Sequence, residues 1–185
     1  MKKLMFMLAA VTMVACTQAA SVYWTCTNVY AGNDTDKVSG IAYFLTTDML
    51  AYSDAQALAG KGAAAITTAL GSAYSYTASA GTFSVASPGV ANATLGLSDG
   101  ADYTAYLMIF DTATVTDSSK FYLTATKSLS TYSGADDTVG VKWSSQATAS
   151  KAATGWASAS SVPEPTSGLL MLVGLAGLAL RRRRA

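Results

Sequence analysis

The chain contains no histidine. That one absence removes Ser-His-Asp and Cys-His catalysis, imidazole metal ligands and the usual neutral-pH proton shuttle. Arginine and glutamate do not occur before Pro163. The cationic charge of the central region therefore rests on Lys37, Lys61, Lys120, Lys127, Lys142 and Lys151, which are scattered singly along it. Phosphate binding needs clustered Lys or Arg, so this spacing argues against a nucleic-acid partner. Only two cysteines are present, Cys16 and Cys26, and only three prolines, Pro88, Pro163 and Pro165. Long apolar runs occur at the two ends and nowhere between.

The first of these runs follows Met1-Lys2-Lys3. A basic start, an apolar stretch Leu4–Ala15 and small residues through Thr17-Gln18-Ala19 form a secretory signal peptide over residues 1–19, with cleavage by signal peptidase expected between Ala19 and Ala20. Met13-Val14-Ala15-Cys16 loosely matches a lipobox, in which Cys16 would become a lipidated first residue, and this alternative stays open. If cleavage follows Ala19, Cys26 alone survives and no intramolecular disulfide can form, although the compartment is oxidising.

The tail has three parts. Val162-Pro163-Glu164-Pro165 is an exposed, extended peptide, because neither proline fits a helix interior and each biases its predecessor toward extended geometry. From Thr166 to Leu180 there is no charge, giving roughly 22 Å of helix, short for a hydrocarbon core of about 30 Å. Bilayer thinning and arginine side chains reaching the headgroups narrow the gap. Arg181, Arg182, Arg183 and Arg184 then act as a stop-transfer signal that keeps the extreme C-terminus cytoplasmic and places everything before Pro163 across the inner membrane.

On Val162-Pro163-Glu164-Pro165, the following helix with Gly168, Gly174 and Gly177 among leucines, and the closing arginines, residues 162–185 resemble the PEP-CTERM sorting signal of diderm bacteria. The resemblance implies cleavage near the motif by an exosortase, a membrane transpeptidase-like enzyme. It also implies delivery to the cell surface, outer membrane or exopolysaccharide matrix after a transient stay in the inner membrane. An ordinary short C-terminal anchor is the alternative. Neither bears on the fold of the preceding residues.

With both ends set aside, ten aspartates against six lysines leave a mildly acidic body of about 140 residues, enough for one domain with a real core. Residues 20–144 read as mainly β: a single small β-sandwich or jelly-roll-like domain with a short helical excursion, between the signal peptide and the C-terminal hydrophobic helix. Val22–Tyr30 alternates and Gly40–Thr47 is continuously apolar, with Ala31–Asp36 as a turn, so a first hairpin is expected. Ser53 and Gln56 are placed as a capping box ahead of an Ala/Leu-rich helix over Asp54–Leu70, broken at Gly60 and Gly62 and closed by Gly71. Strands follow at Tyr74–Ala78, Thr82–Ala86, Val90–Leu97, Tyr103–Phe110, Lys120–Lys127 and Val139–Ser144, with Pro88-Gly89 turning the chain. Tyr103–Phe110, apolar on both faces in its second half, belongs at the centre of a sheet. Residues 145–161, nearly all Ala, Ser, Thr and Gly, read as a flexible linker that Trp156 can tack to the body.

No catalytic residue, cofactor or metal ligand is assigned. A Ser or Cys nucleophile with a Lys base lacks a Ser-x-x-Lys in an apolar setting. Glycoside hydrolysis needs two acids across a cleft, whereas the aspartates fall at turns and strand ends, where they cap backbone N–H groups. Asn33–Asp36, Asp99–Asp102 and Asp136-Asp137 offer oxygens to calcium, but no EF-hand loop is present and the turn reading is preferred. Asn33-Asp34-Thr35 and Asn92-Ala93-Thr94 also fit the glycosylation sequon. Ten tyrosines and three tryptophans could stack on sugar rings or fill a core, and Cys26 reads as a buried, inert thiol or, alternatively, an intermolecular disulfide. The expectation is a non-enzymatic surface or matrix protein; a carbohydrate-binding module for extracellular polysaccharide is second and a small glycan hydrolase third.

Overall fold

A computed structural model describes residues 20–30, 36–133, 137–143 and 156–160. Strands β1 (Ser21–Thr25), β4 (Val85–Ala91) and β8 (Thr138–Lys142) make a three-stranded sheet in the order β4-β1-β8. The second sheet runs β3 (Ser75–Ala78), β2 (Gly40–Thr46), β5 (Asp102–Phe110), β6 (Lys120–Leu123) and β9 (Ala157–Ser158), and β7 (Lys127–Ser130) pairs with the other end of β5. The two sheets pack as a sandwich, so the mainly-β expectation holds. Helices α1 (Tyr52–Ala57) and α2 (Ala63–Leu70) lie on the outer face of the larger sheet as a third layer.

Period-two alternation explains how one strand serves two cores. In β5, Ala105, Leu107 and Ile109 face the small sheet, where they meet Val22, Trp24, Val141 and Trp143. Tyr106, Met108 and Phe110 face the helices and meet Ala55, Ile66 and Leu70. Phe44 and Leu45 of β2 divide in the same way. The apolar run in β5 is therefore central in its sheet, as expected, and it needs both faces apolar because the helical segment covers the second one.

Several local expectations are corrected. The first hairpin does not form: β1 pairs with β4 and, in parallel, with β8, and the turn leaves only an isolated antiparallel bridge between Tyr30 and Lys37 before the chain crosses to the other sheet. Pro88-Gly89 lies within β4 instead of ending it. β4 is an edge strand, where a missing N–H costs no ladder bond, and the register shifts across this stretch. A Cβ on Gly89 would overlap the Val22 carbonyl, and its φ of +91° suits glycine. Asn92–Leu95 is a 3-10 turn, not strand. Lys120–Lys127 splits into β6 and β7 because Thr124 breaks the alternation, its Oγ1 accepting from the Leu107 N–H at 2.9 Å. Ser53 makes no cap: α1 starts after Ala51 without a side-chain cap bond. The break at Gly60 and Gly62, with φ of +75° and +88°, does separate two short helices, and Gly71 closes the second.

The linker reading fails at its far end. Of residues 145–161, residues 145–155 and 161 lie outside the described residues, but 156–160 are packed into the body. Ala157 and Ser158 pair with Phe121 and Lys120, and Ala159 is fully buried against the helical layer. Composition concealed this, because alanine and serine in an edge strand need little apolar mass when the neighbouring Phe121 and Phe110 supply it.

Candidate functional site

Three places in the fold bear on function: the two ends of the body, where processing is expected, and a polar groove. At the N-terminal end Ala20 is buried, its carbonyl accepting from the Asn92 N–H at 2.9 Å, and the Ser21 N–H donates to the Asp137 carbonyl at 3.1 Å. The expected cleavage bond thus abuts β1, the middle strand of the small sheet. Ala19 and Cys16 lie outside the described residues.

At the C-terminal end the body closes with a strap, residues 156–160. The Trp156 indole N–H donates to the Tyr30 carbonyl at 3.0 Å, and its ring packs 6.0 Å from that of Tyr122. The Ala159 N–H donates to the Ser119 carbonyl at 2.9 Å, while the Ser158 and Ala159 carbonyls accept from the Gly60 and Gly62 N–H groups, each at 2.8 Å. Two glycines with positive φ in the α1–α2 turn aim those donors at the strap. Trp156 was the sequence signal for this anchoring; nothing in the pattern pointed to Ala159.

The groove, of about 450 Å³, opens on the part of the large sheet that the helices leave uncovered. Cross-strand neighbours Asp102 with Ser130 and Thr104 with Ser128 line it, together with Thr47 and Asp48. Its polar lining is two carboxylates and several hydroxyls, suited to hydrogen-bonding a polyhydroxylated ligand, and Tyr103 and Leu129 complete the wall. Alternation in Asp102–Thr104 and Lys127–Ser130 was the sequence signal for it, and it was missed because the two segments are distant in the chain. Nine residues of β5, at about 3.4 Å each, put the groove roughly 25 Å from the strap.

The aromatic residues serve the core. Trp24, Trp143, Tyr106 and Phe44 are fully buried, and Tyr74 and Tyr76 pack edge-on against Trp24. Among the described residues Tyr132, 51% exposed, is the one largely exposed aromatic. The aspartates act at turns as expected: Asp111 accepts from the Lys120 N–H, Asp117 from the Ala63 N–H, and Asp99 from the Asn92 side-chain amide. Among the described residues no group of three or more His, Cys, Asp or Glu could hold a metal ion. Asn92 is 2% exposed, which withdraws the second sequon from any modifying enzyme in the folded state, and its Oδ1 has no hydrogen-bond partner. Asn33, Asp34 and Asp136 lie outside the described residues.

Cys26 is unpaired and buried, and burial pushes its thiol from 9.0 up to about 12. Burial also raises the Tyr76, Tyr106, Tyr43, Tyr52 and Tyr122 phenols. Below pH 9 the thiol is protonated in both folded and unfolded chains, so its contribution is fully present. Above pH 9 the unfolded thiol ionises while the folded one keeps its proton, so stability drains away through about pH 12, and the phenols act in the same sense. A denaturant midpoint that falls steadily above pH 9, with Cys26 unlabelled by thiol reagents at neutral pH, is the expected result. A midpoint flat through pH 11 would contradict it.

The comparisons speak to the tail. Residues 161–184 match the PEP-CTERM protein-sorting motif. The motif marks an exported protein sorted to the cell surface and implies processing by an exosortase. No curated protein and no solved structure matches the chain. The PEP-CTERM residues Val162, Pro163, Glu164 and Pro165 and the arginines Arg181–Arg184 lie outside the described residues, but the motif begins one residue after the strap. Among the described residues no helix is long and apolar enough to cross a membrane.

Proposed function

We propose that the chain is a non-enzymatic cell-surface or exopolysaccharide-matrix component. In this reading a small sandwich is exported, held briefly in the inner membrane by its C-terminal helix, cut near Pro163 and displayed outside the cell. The sorting motif at 161–184 carries the reading. The missing histidine supports a structural role over a catalytic one. So do the aspartates spent on turns and the aromatics spent on the core.

A second reading, retention of extracellular polysaccharide, draws on the groove lined by Asp48, Asp102 and neighbouring hydroxyls, which lies at the opposite end of β5 from the strap. The groove offers hydrogen bonds, and the aromatic residue among its lining, Tyr103, packs against the core between the sheets with its hydroxyl accepting from the Ser98 N–H.

The deciding measurement is the intact mass of the native protein from surface and membrane fractions of its host, with both termini sequenced. A chain running from about Ala20 to about Pro163 is expected. Retention of Arg184 would make it a simply anchored inner-membrane domain, and a diacylated Cys16 would make it a lipoprotein. Passing the mature domain over the host's own polysaccharide separates the readings: specific retention abolished by Asp102→Asn favours the binding module, and its absence the structural role.

A further inference from the structure

The polar side chains of the groove are left without partners. Among the described residues, the side chains of Thr47, Asp48, Asp102, Thr104, Ser128 and Ser130 make no hydrogen bond or ion pair. Many hydroxyls and carboxylates elsewhere are engaged: Thr112 and Thr116 bond Ser119, Thr124 and Thr131 bond the backbone, and Asp99, Asp111 and Asp117 hold the Asn92 amide and the Lys120 and Ala63 N–H groups. The pleat brings the unpartnered ones together. The Thr47 N–H donates to the Thr104 carbonyl at 2.9 Å and Thr104 stands opposite Ser128, so their hydroxyls form one row across neighbouring chain segments about 4.8 Å apart. Two positions back along β5, on the same face, Asp102 stands opposite Ser130. Asp48 adds the other carboxylate beside Thr47, and no Lys or Arg lines the groove.

We infer that the groove binds an amino sugar: a polysaccharide segment whose hexosamine nitrogens are free amines, ammonium in their protonated form. Its volume of about 450 Å³ falls within the range of about 300–1,000 Å³ that small-ligand sites occupy. Hydroxyls that both donate and accept suit a chain carrying hydroxyls of its own. The carboxylates set the class. They accept and do not donate, and no cation in the lining balances them, so a uronate or sulfate group meets repulsion whereas an ammonium makes short, charge-assisted bonds. N-acetylation exchanges that charge and its N–H donors for a single neutral N–H, which weakens the match. The excess of aspartate over lysine in the body adds a field of the same sign, which draws a cationic chain toward the groove.

The inference rests on the polysaccharide-retention reading, and the experiment separates the two. Purified full-length protein in detergent is titrated at mildly acid pH against immobilised oligomers of glucosamine, N-acetylglucosamine and galacturonate. The glucosamine oligomer is expected to bind, with the N-acetylated one weaker by about tenfold and the galacturonate not retained. Asp102→Asn, which keeps the shape and removes the charge, should weaken glucosamine binding about tenfold, and Thr104→Val, which keeps shape and charge and removes a hydroxyl, about fivefold. Asp54→Asn, exposed on α1 and outside the groove, should leave it unchanged. If Asp54→Asn weakens binding as much as Asp102→Asn, the attraction is diffuse charge and the groove is no site. If the N-acetylated oligomer binds equally well and still depends on Asp102, polysaccharide retention stands and the amino-sugar class is wrong. Failure to retain any oligomer, together with no retention of the host's own polysaccharide, overturns both.

Discussion

Deleting Arg181–Arg184 is expected to leave export and folding intact and to abolish maturation, so that tail-bearing protein accumulates and almost none reaches the surface. The four arginines close the sorting motif matched at residues 161–184, so their removal tests sorting. Their effect is on topology. At the bilayer centre each costs about 2.5–3.5 kcal/mol, so four in a row oppose further translocation by roughly 10 kcal/mol. The apolar run before them is too short to hold its place alone, since roughly 22 Å of helix must bridge about 30 Å of hydrocarbon. On the sorting reading, a tail without the arginines loses its stop-transfer signal and Pro163-Glu164-Pro165 is no longer presented to the sorting enzyme. Glu164→Ala makes the complementary change: topology is kept and the recognition peptide is altered, so the precursor should accumulate in the inner membrane. Normal surface display of both variants would overturn the sorting reading.

The C-terminal tail was legible because its signal is linear. A Pro-Glu-Pro peptide, an apolar run and an arginine block act through composition and order, which a sequence displays directly. In the body, elements whose burial writes a period were also legible. β5 announces its central place by being apolar on both faces, and Val141 and Trp143 alternate into the core as read. What stayed hidden depends on partners distant in the chain. The parallel pairing of β1 with β8 joins Ser21 to Thr138, and no local feature of either strand favours it over a hairpin with β2. Pro88 looks like a turn until β4 is known to be an edge. The strap looks like a linker until Phe121, Gly60 and Gly62 are seen to supply the apolar surface and the donors that Ala157–Ala159 lack. The groove needed the pairing of Asp102 with Ser130 before its oxygens could be counted together.

Trp24→Ala is expected to unfold the domain or bring it to the edge of unfolding, with a loss of about 3–5 kcal/mol. Single domains of this size are stable by about 5–15 kcal/mol, so that loss consumes a large part of the total. Trp24 is fully buried on the middle strand of the small sheet, with β4 on one side and β8 on the other. Its ring lies 4.9 Å from Phe44 of the facing sheet and within 6.0 Å of Tyr74 and Tyr76, so it joins the two layers of the sandwich. Its indole N–H donates to the Tyr76 hydroxyl at 2.9 Å, and truncation strips that buried hydroxyl of its donor while opening a cavity between the sheets. Tyr76→Phe separates the two effects. It keeps the packing and removes the acceptor, leaving the indole N–H unpaired, at a cost of about 1–3 kcal/mol. Tyr132→Ala, at a residue 51% exposed, should change stability by no more than about 0.5 kcal/mol. Urea midpoints followed by far-UV circular dichroism on the purified domain test the order Trp24→Ala, then Tyr76→Phe, then Tyr132→Ala. If Trp24→Ala proved as mild as Tyr132→Ala, the small sheet could not be packed on the larger one through Trp24. Its covering role would then have to fall to Trp143, whose indole N–H donates to the Ala125 carbonyl across the same core.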